Sequence, residues 1–227
     1  MSEPILQIKA LSSFDMRAVE ECLKWFPQNQ VERIAGFSNS SRKIETAATY
    51  SLLVEMLRSN GLLKELPSIE YAENGKPFLT NYPDLHFNLS HCRLYVAVAI
   101  HRSPVGVDIE CRRKVTSALI RRVCSDDEQL SISLSKDPDM EFLRLWTRKE
   151  AYLKYTGTGI VEPLTNIPPQ ASDLRSQITG HRSQVTDHHS LVTGHRSLTT
   201  NHNSQFTIHT IKTHPLPEGD GWVSVCW

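Results

Sequence analysis

The sequence predicts an α+β protein, because segments with helical spacing and segments with strand-like alternation both occur along its 227 residues. The clearest helical segment runs from Ser41 to Ser59, where apolar residues recur at every fourth position between Ile44 and Met56. A second long helix is predicted from Asp137 as N-cap to about Tyr155, with proline at its first position. Between these helices, residues 85–110 are typical of short β-strands, with Pro104 marking a turn.

Shorter elements complete the predicted order. A helix is expected from about Asp15 to Phe26, and Pro27 ends it. The dipeptide Asn74-Gly75 favours a tight turn, because both residues tolerate positive φ. The remaining predicted elements are strands at 69–71, 86–89, 94–100 and 105–110, a helix at 115–123, and a closing hairpin of 206–211 and 222–227 around a turn at 217–221.

Composition excludes several functional classes. Twenty-five basic and twenty-five acidic residues leave the chain formally neutral, which argues against a dedicated nucleic-acid binder. The five cysteines are scattered and form no CxxC pair, so neither a zinc site nor a disulfide framework is indicated, and reduced thiols are expected. We find no signal-peptide pattern at the first residues and no apolar run long enough for a membrane span, which predicts a cytoplasmic protein without a membrane partner.

A seven-residue tandem repeat begins beyond residue 165. The copies ITGHRSQ, VTDHHSL, VTGHRSL and TTNHNSQ occupy residues 178–205, and ASDLRSQ at 171–177 is a degenerate copy. Thr, Ser, Asn and Gly are poor residues for a helix interior, and each copy has only one or two apolar positions. The sequence therefore predicts a polar insertion at about 171–205, either disordered or a surface excursion. Its histidines could bind a metal, but the repeat explains their number without any function.

The first candidate for chemistry is GVDIE at residues 106–110. Alternate side chains of a strand face opposite ways, so Val107 and Ile109 can enter the core while Asp108 and Glu110 project together from the other face. Adjacent carboxylates repel each other unless a cation lies between them, and hard oxygen ligands suit Mg²⁺. The alternative is a solvated strand face with two acids.

The second candidate is WTRKEAYLK at residues 146–154. On a helix, Trp146, Glu150 and Lys154 form one stripe, because they are spaced four residues apart. Glu150 could supply a third carboxylate to a metal, and Lys154 could reach a phosphate. The alternative is an ordinary Glu–Lys pair that supports an exposed helix.

The third candidate combines NGKP at residues 74–77 with FNLSH at 87–91. Glycine in the turn permits close backbone approach, and Lys76, Ser90 and His91 could line a phosphate or nucleotide site. The alternatives are a simple hairpin turn and a histidine that is hydrogen-bonded at a strand end.

In this order, the motifs at 75–77, 88–91, 106–110 and 146–154 resemble those of the phosphopantetheinyl transferases of the broad-specificity, surfactin-synthetase-activating type. The resemblance runs from about Val31 to Leu164 and resumes in the closing hairpin. It implies a monomer of two similar α/β halves related by pseudo-two-fold symmetry. Those halves would be residues 1–104 and 105–227, the second interrupted by the repeat.

The resemblance also implies roles for individual residues. Glu128 matches a glutamate proposed to assist deprotonation, although Ser125 and Glu128 also fit a capping box. Gln30 stands where relatives often place a basic residue. The remaining implied sites are Asp108, Glu110 and Glu150 as Mg²⁺ ligands, Lys154 at the pyrophosphate of coenzyme A, Lys76, Ser90 and His91 at its 3′-phosphate and adenosine, and Arg33 and Thr46 as further coenzyme A contacts.

The implied reaction transfers the 4′-phosphopantetheine arm of coenzyme A to a serine of an apo acyl carrier protein or peptidyl carrier domain, and releases 3′,5′-ADP. Such carriers serve fatty-acid, polyketide or nonribosomal-peptide synthesis. Glu150, Glu128 or a metal-bound water would take the hydroxyl proton. Two alternatives remain open: a relative impaired by the repeat that still binds coenzyme A or carrier domains, and a generic nucleotide-binding module.

Overall fold

The computed structural model describes residues 3–14, 16–24, 26–159, 164–167 and 210–227. They belong to one unit formed by Met1–Ile167 and Thr210–Trp227. Its helices are α1 (Met16–Leu23), α2 (Gln28–Ala35), α3 (Ser40–Ser59), α4 (Ser117–Val123), α5 (Asp126–Leu134) and α6 (Pro138–Thr156). Its strands are β1 (Ile5–Ala10), β2 (Ile69–Tyr71), β3 (Pro77–Leu79), β4 (His86–His91), β5 (Tyr95–His101), β6 (Gly106–Cys111), β7 (Ile211–Pro215) and β8 (Gly221–Cys226).

The strands form three antiparallel sheets. The first has the order β1-β5-β4 and the second has the order β6-β8-β7, while β2 and β3 form a separate hairpin. Helix α3 packs against the first sheet and α6 packs against the second. The predicted α+β class is confirmed. The pseudo-two-fold relation and the division at residue 104 stay predictions, and the repeat at 171–205 lies outside the described residues.

Both long helices begin at capping residues. The Asn39 side chain accepts a hydrogen bond from the Arg42 amide at the start of α3, and the Asp137 side chain accepts one from the Met140 amide at the start of α6. Helix α6 ends at Gly157, whose φ of 72° is left-handed and therefore suits glycine. The predicted bounds of these helices agree with the structure to within one residue.

Strand β5 contributes to two hydrophobic cores, because its alternate side chains face opposite ways. Val96, Val98 and Ile100 pack in the core with α3. Ala97 and Ala99 face the second core, which also contains the apolar residues of β6 and β8. The prediction that Val107 and Ile109 enter the core is confirmed. A third core lies between α4, α5 and α6.

Two helices were not predicted, and one strand lies later than expected. Helix α1 ends at Leu23, earlier than the predicted end near Phe26, and Pro27 stands directly before the first residue of α2. Helix α5 has little apolar periodicity, and Leu130 and Leu134 remain exposed on it. The closing hairpin is confirmed, but its first strand is β7 at Ile211–Pro215; residues 206–209 of the predicted strand lie outside the described residues.

The prediction of reduced thiols is wrong for two cysteines. Cys92 and Cys111 form a disulfide with their Cα atoms 5.8 Å apart. They lie 19 residues apart in sequence and become neighbours only because β4 and β6 run side by side. Cys124 and Cys226 are free and buried. Among the described residues, no helix is long and apolar enough to cross a membrane.

Candidate active site

The site lies where the edge strands of the two larger sheets meet. Strand β4 ends the first sheet and β6 ends the second, and side chains of β4 bind backbone amides of β6. Asn88 Oδ1 accepts from the Val107 amide at 2.8 Å, and Ser90 Oγ accepts from the Ile109 amide at 3.3 Å. These contacts satisfy amides that would otherwise be unpaired at a sheet edge. They bring the motif at 88–91 against the motif at 106–110.

Helix α6 lies directly on β6 because Gly106 has no side chain. A Cβ atom at this position would lie 2.0 Å from the Ala151 carbonyl oxygen and 2.3 Å from the Tyr155 amide nitrogen. The backbone of α6 can therefore approach the strand only at a glycine. This close approach places Glu150 and Lys154 over Asp108.

The central contacts join Asp108, Lys154 and Ser90. Lys154 Nζ lies 2.6 Å from Asp108 Oδ1 and 3.0 Å from Ser90 Oγ, and Ser90 Oγ donates to Asp108 Oδ1 at 2.9 Å. Asp108 is only 6% exposed. Asp108 and Lys154 therefore form an ion pair whose carboxylate is largely withdrawn from solvent.

Glu150 and Glu110 lie in the same electrostatic environment. Burial raises the pKa of Glu150, the charge of Asp108 raises it further, and Lys154 opposes both. Burial also raises the pKa of Glu110, against hydrogen bonds from Arg113 and Trp146. The predicted helix stripe faces β6: Trp146 donates a hydrogen bond to Glu110, and Glu150 interacts electrostatically with Asp108. Asp108, Glu110 and Glu150 therefore form a cluster of carboxyl groups, with Lys154 beside Asp108 and Arg113 beside Glu110.

The carboxylate oxygens of this cluster are the candidate ligands for a cation. No group of three or more His, Cys, Asp or Glu is arranged as a metal site within the part of the chain that the structure describes. Two buried carboxylate oxygens in that part, Asp108 Oδ2 and Glu150 Oε1, nevertheless have no hydrogen-bond partner. Buried oxygens of this kind carry a desolvation cost that a hard divalent cation would offset. The residues present therefore fit Mg²⁺.

His91 extends the cluster toward α3. Its Nδ1 lies 3.6 Å from Glu45 Oε2. Burial lowers the pKa of His91, Glu45 and Asp108 raise it, and Lys154 lowers it. Thr46 follows Glu45 on α3 and is half-buried.

Arg33 lies further out, at the end of α2. Its guanidinium stacks on the Tyr71 ring at 4.0 Å from the ring centroid, which is cation–π geometry. Nothing in these contacts joins Arg33 to the Asp108 cluster.

A cleft of about 250 Å³ adjoins the cluster. Lys76, Asn88, Glu150 and Lys154 line it, and its remaining lining residues are Asn74, Gly75, Pro77, Leu89, Leu153, Gly157 and Gly159. Three of the four sequence motifs therefore contribute to one cleft. Lys76 lies at its edge, but its ammonium contacts backbone carbonyl oxygens of Val105, Lys154 and Tyr155.

Glu128 has a different environment. Its Oε2 accepts from the Ser125 amide at 2.8 Å, and the Ser125 side chain accepts from the Glu128 amide, so the capping box is confirmed. The same Oε2 lies 2.6 Å from Nζ of Lys149, which is buried and also binds the carbonyls of Val123 and Leu164. These contacts favour a structural role for Glu128, and its catalytic role stays a prediction.

Gln30 also has structural contacts. It is 1% exposed, and its side chain donates to the Ile69 carbonyl and accepts from the Tyr71 hydroxyl. Burial of this amide explains why a polar but uncharged residue is tolerated there.

Sequence reasoning missed the roles of Asn88 and Lys149. Asn88 belongs to a motif that was recognised, but its bond across the sheets could not be anticipated. Lys149 is 3% exposed and bridges α6 to Glu128. Its position gives the one indication of burial in the sequence, because Lys149 directly precedes Glu150 and lies on the buried face of the helix.

Residues 104–210 match the family model of the 4′-phosphopantetheinyl transferase superfamily. The matched segment contains the motifs at 106–110 and 146–154, in agreement with the resemblance that the motifs indicated.

The relatives that this chain resembles include Sfp-like transferases of Bacillus. It is 37% identical over 95 residues to 4′-phosphopantetheinyl transferase Sfp of Bacillus subtilis strain 168, covering 40% of this chain and 42% of that protein. It is 34% identical over 104 residues to a second 4′-phosphopantetheinyl transferase of Bacillus subtilis, covering 44% and 46%. It is 36% identical over 101 residues to 4′-phosphopantetheinyl transferase AcpT of Salmonella typhimurium, covering 42% and 52%. The matched segments span about half the length of these relatives.

Proposed function

We propose that this protein is a Mg²⁺-dependent transferase that moves the 4′-phosphopantetheine arm of coenzyme A to a serine of an apo acyl carrier protein or peptidyl carrier domain. The observation that carries the proposal is the pair of unpartnered buried oxygens, Asp108 Oδ2 and Glu150 Oε1, close to Lys154, which pairs with Asp108 and lines the cleft together with Glu150. The match to the superfamily model supports the reaction class, and coenzyme A is the cosubstrate that this class implies.

Asp108, Glu110 and Glu150 are the residues proposed to hold the metal ion. When bound, Mg²⁺ would neutralise charge on the pyrophosphate of coenzyme A, as phosphoryl transfer requires. Without a cation, the raised pKa values of Glu110 and Glu150 favour their neutral forms. In their charged forms these side chains would repel the pyrophosphate unless a cation lay between them.

Lys154 is proposed to contact the pyrophosphate. Its ammonium already lies among Ser90 and Asp108, so a small movement would carry it into the cleft that it lines. Ser90 and His91 are proposed to contact the nucleotide end of coenzyme A, with Arg33 and Thr46 as further contacts.

In the proposed reaction, the serine oxygen attacks the β-phosphorus of coenzyme A. The bond from that phosphorus to the bridging oxygen breaks, and 3′,5′-ADP leaves with the bonding electrons. The serine proton passes to a carboxylate. Glu150 is the better candidate for this base, because its Oε1 is unpartnered within the described residues, whereas Oε2 of Glu128 accepts from both Ser125 and Lys149.

The same proposal includes action as a cytoplasmic monomer, without a nucleic-acid or membrane partner. The balance of twenty-five basic and twenty-five acidic residues supports a protein partner over a nucleic acid. Measurement of mass in solution tests the monomer directly.

The test is incubation of the full chain with coenzyme A, Mg²⁺ and an apo carrier protein, followed by intact-mass analysis of the carrier. We expect the carrier to gain the mass of the phosphopantetheine arm, and EDTA to prevent the gain. Asp108→Asn and Glu150→Gln are expected to lower the rate by at least about 100-fold, because each removes a carboxylate from the charged centre. Both variants should remain folded by circular dichroism.

Glu55→Gln is the matched control, since Glu55 is an exposed acid that pairs with Lys9 on the outer part of α3. Its rate should equal that of the unmodified chain. Coenzyme A binding without any mass gain would instead indicate a relative that binds but does not transfer. Transfer that survives Asp108→Asn at full rate would refute the metal assignment.

A further inference from the structure

Lys76 lies in the turn between β2 and β3, and its side chain reaches away from the turn to the backbone near α6. Its Nζ lies 2.5 Å from the Lys154 carbonyl oxygen, 3.2 Å from that of Tyr155 and 3.3 Å from that of Val105. An ammonium group has three N–H donors and no acceptor. Three carbonyl partners therefore use its whole donor capacity.

Two of these carbonyls belong to the last turn of α6. The final carbonyls of a helix have no partner within the helix, and they carry the negative end of the helix dipole. A cation that donates to them stabilises the helix end. Burial lowers the pKa of Lys76, as expected for an ammonium group withdrawn from solvent toward a backbone.

Asn74 strengthens the same junction. Its Nδ2 donates to the Gly157 carbonyl at 2.5 Å, and its Oδ1 accepts from the Lys76 amide at 3.0 Å. The side chains of Asn74 and Lys76 in the β2–β3 turn thus bind three carbonyls at the end of α6, those of residues 154, 155 and 157. Gly106, which follows the Val105 carbonyl bound by Lys76, allows β6 to approach the backbone of the same helix.

Lys154 connects this junction to the reaction. Its backbone carbonyl is held by Lys76, while its side chain contacts Asp108 and Ser90. We infer that Lys76 is a positioning residue, which holds the last turn of α6 so that Lys154 reaches the Asp108 centre, and not a ligand of the 3′-phosphate. Naming Lys154 as the pyrophosphate contact rests on the proposed function, whereas the contact with the helix end does not.

The first test compares coenzyme A with 3′-dephospho-coenzyme A as substrates of Lys76→Met, which keeps the length of the side chain but removes the ammonium. We expect kcat/KM to fall about tenfold or more for both substrates by the same factor, because a displaced Lys154 affects the pyrophosphate that both contain. Lys76→Arg should recover part of the loss, since a guanidinium also donates to carbonyls. His91→Ala is the comparison variant, and it should lose activity mainly with coenzyme A.

A loss confined to coenzyme A in Lys76→Met would overturn the inference, because it would show recognition of the 3′-phosphate. Equal activity of Lys76→Met and the unmodified chain would overturn it as well.

The second test needs no activity. Hydrogen–deuterium exchange of the amides at 153–157 should be faster in Lys76→Met, while the amides of α3 serve as the internal reference. Unchanged exchange at 153–157 would contradict the inference whether or not the chain transfers phosphopantetheine. Faster exchange in a chain that lacks transfer would leave the inference standing and reject the proposed function. If Lys76→Met does not fold, Lys76→Gln, which retains an amide donor, is measured in its place.

Discussion

At the scale of single residues, the proposed chemistry depends on carboxyl groups that the fold itself buries, without the help of a cation. Glu150 illustrates the consequence, because burial and the neighbouring Asp108 both raise its pKa. At pH values between the ordinary 4.5 and the raised pKa, the folded chain therefore holds a proton on Glu150 that the unfolded chain has released. Its contribution to stability falls as the pH rises from about the ordinary value of 4.5 through the raised pKa.

We predict that Glu150→Gln raises the melting temperature of the metal-free protein at pH 8, and that this gain shrinks toward pH 4. Mg²⁺ favours the charged carboxylate, so it should stabilise the unmodified chain more at pH 8 than at pH 5. Thermal unfolding in EDTA and in Mg²⁺ at both pH values measures this. Comparison with the variant at the same pH cancels the titration of other carboxyl groups. Equal Mg²⁺ stabilisation at both pH values would contradict the assignment.

Single residues also show where a motif has two uses. Ser125 and Glu128 form a capping box, and Lys149 completes a buried ion pair with that glutamate. The capping-box alternative was predictable from sequence, because it depends on spacing along one helix. The partner of Glu128 was not predictable, because Lys149 lies 21 residues away.

At the scale of elements, the contact between α6 and β6 determines whether the site exists. The strand supplies Asp108 and Glu110, and the helix supplies Glu150 and Lys154. Their separation is set by Gly106, since any Cβ there would overlap the helix backbone. This glycine has no chemical role of its own, yet the distance between the two charged elements depends on it.

We predict that Gly106→Ala destabilises the fold by about 1–3 kcal/mol or more, because α6 must move away from β6. Transfer activity should fall further than stability alone explains, since the same movement separates Lys154 from Asp108. Urea unfolding and the carrier assay measure the two effects. Gly36→Ala is the control, because its Cβ would lie 3.4 Å from the nearest atom, the Glu32 carbonyl oxygen. A Gly106→Ala variant as stable as Gly36→Ala would refute this account.

At the scale of the whole molecule, two antiparallel sheets meet at edge strands without a backbone ladder between them. Asn88 and Ser90 supply the hydrogen bonds at the junction, and the Cys92–Cys111 disulfide links the same pair of strands covalently. The motifs at 88–91 and 106–110 lie on these two strands, and the motif at 146–154 lies on α6, which packs on β6. The motif at 75–77 contacts the end of that helix.

We predict that reduction of Cys92–Cys111 lowers stability by about 3 kcal/mol, which is typical for a disulfide that closes a loop of this length. Thermal unfolding with and without reductant measures the difference. A Cys92→Ser, Cys111→Ser double variant should match the reduced protein and lose all dependence on reductant. Peptide mapping without reduction should recover the cross-linked pair. If no cross-linked peptide is found, the thiols are reduced as composition alone suggested.

The sequence by itself determined the α+β class, both long helices, the alternation in β6 and the residues of the charged centre. Each of these depends on spacing within one segment, such as the four-residue stripe of α6 or the two-residue period of a strand. The tertiary structure alone decided the partners of Lys76, Asn88 and Cys92. Lys76 and Lys154 are 78 residues apart, and contacts between distant segments leave no periodic pattern in the chain. A lysine in a glycine-containing turn therefore suggested a phosphate ligand, whereas packing gave its ammonium three backbone carbonyls.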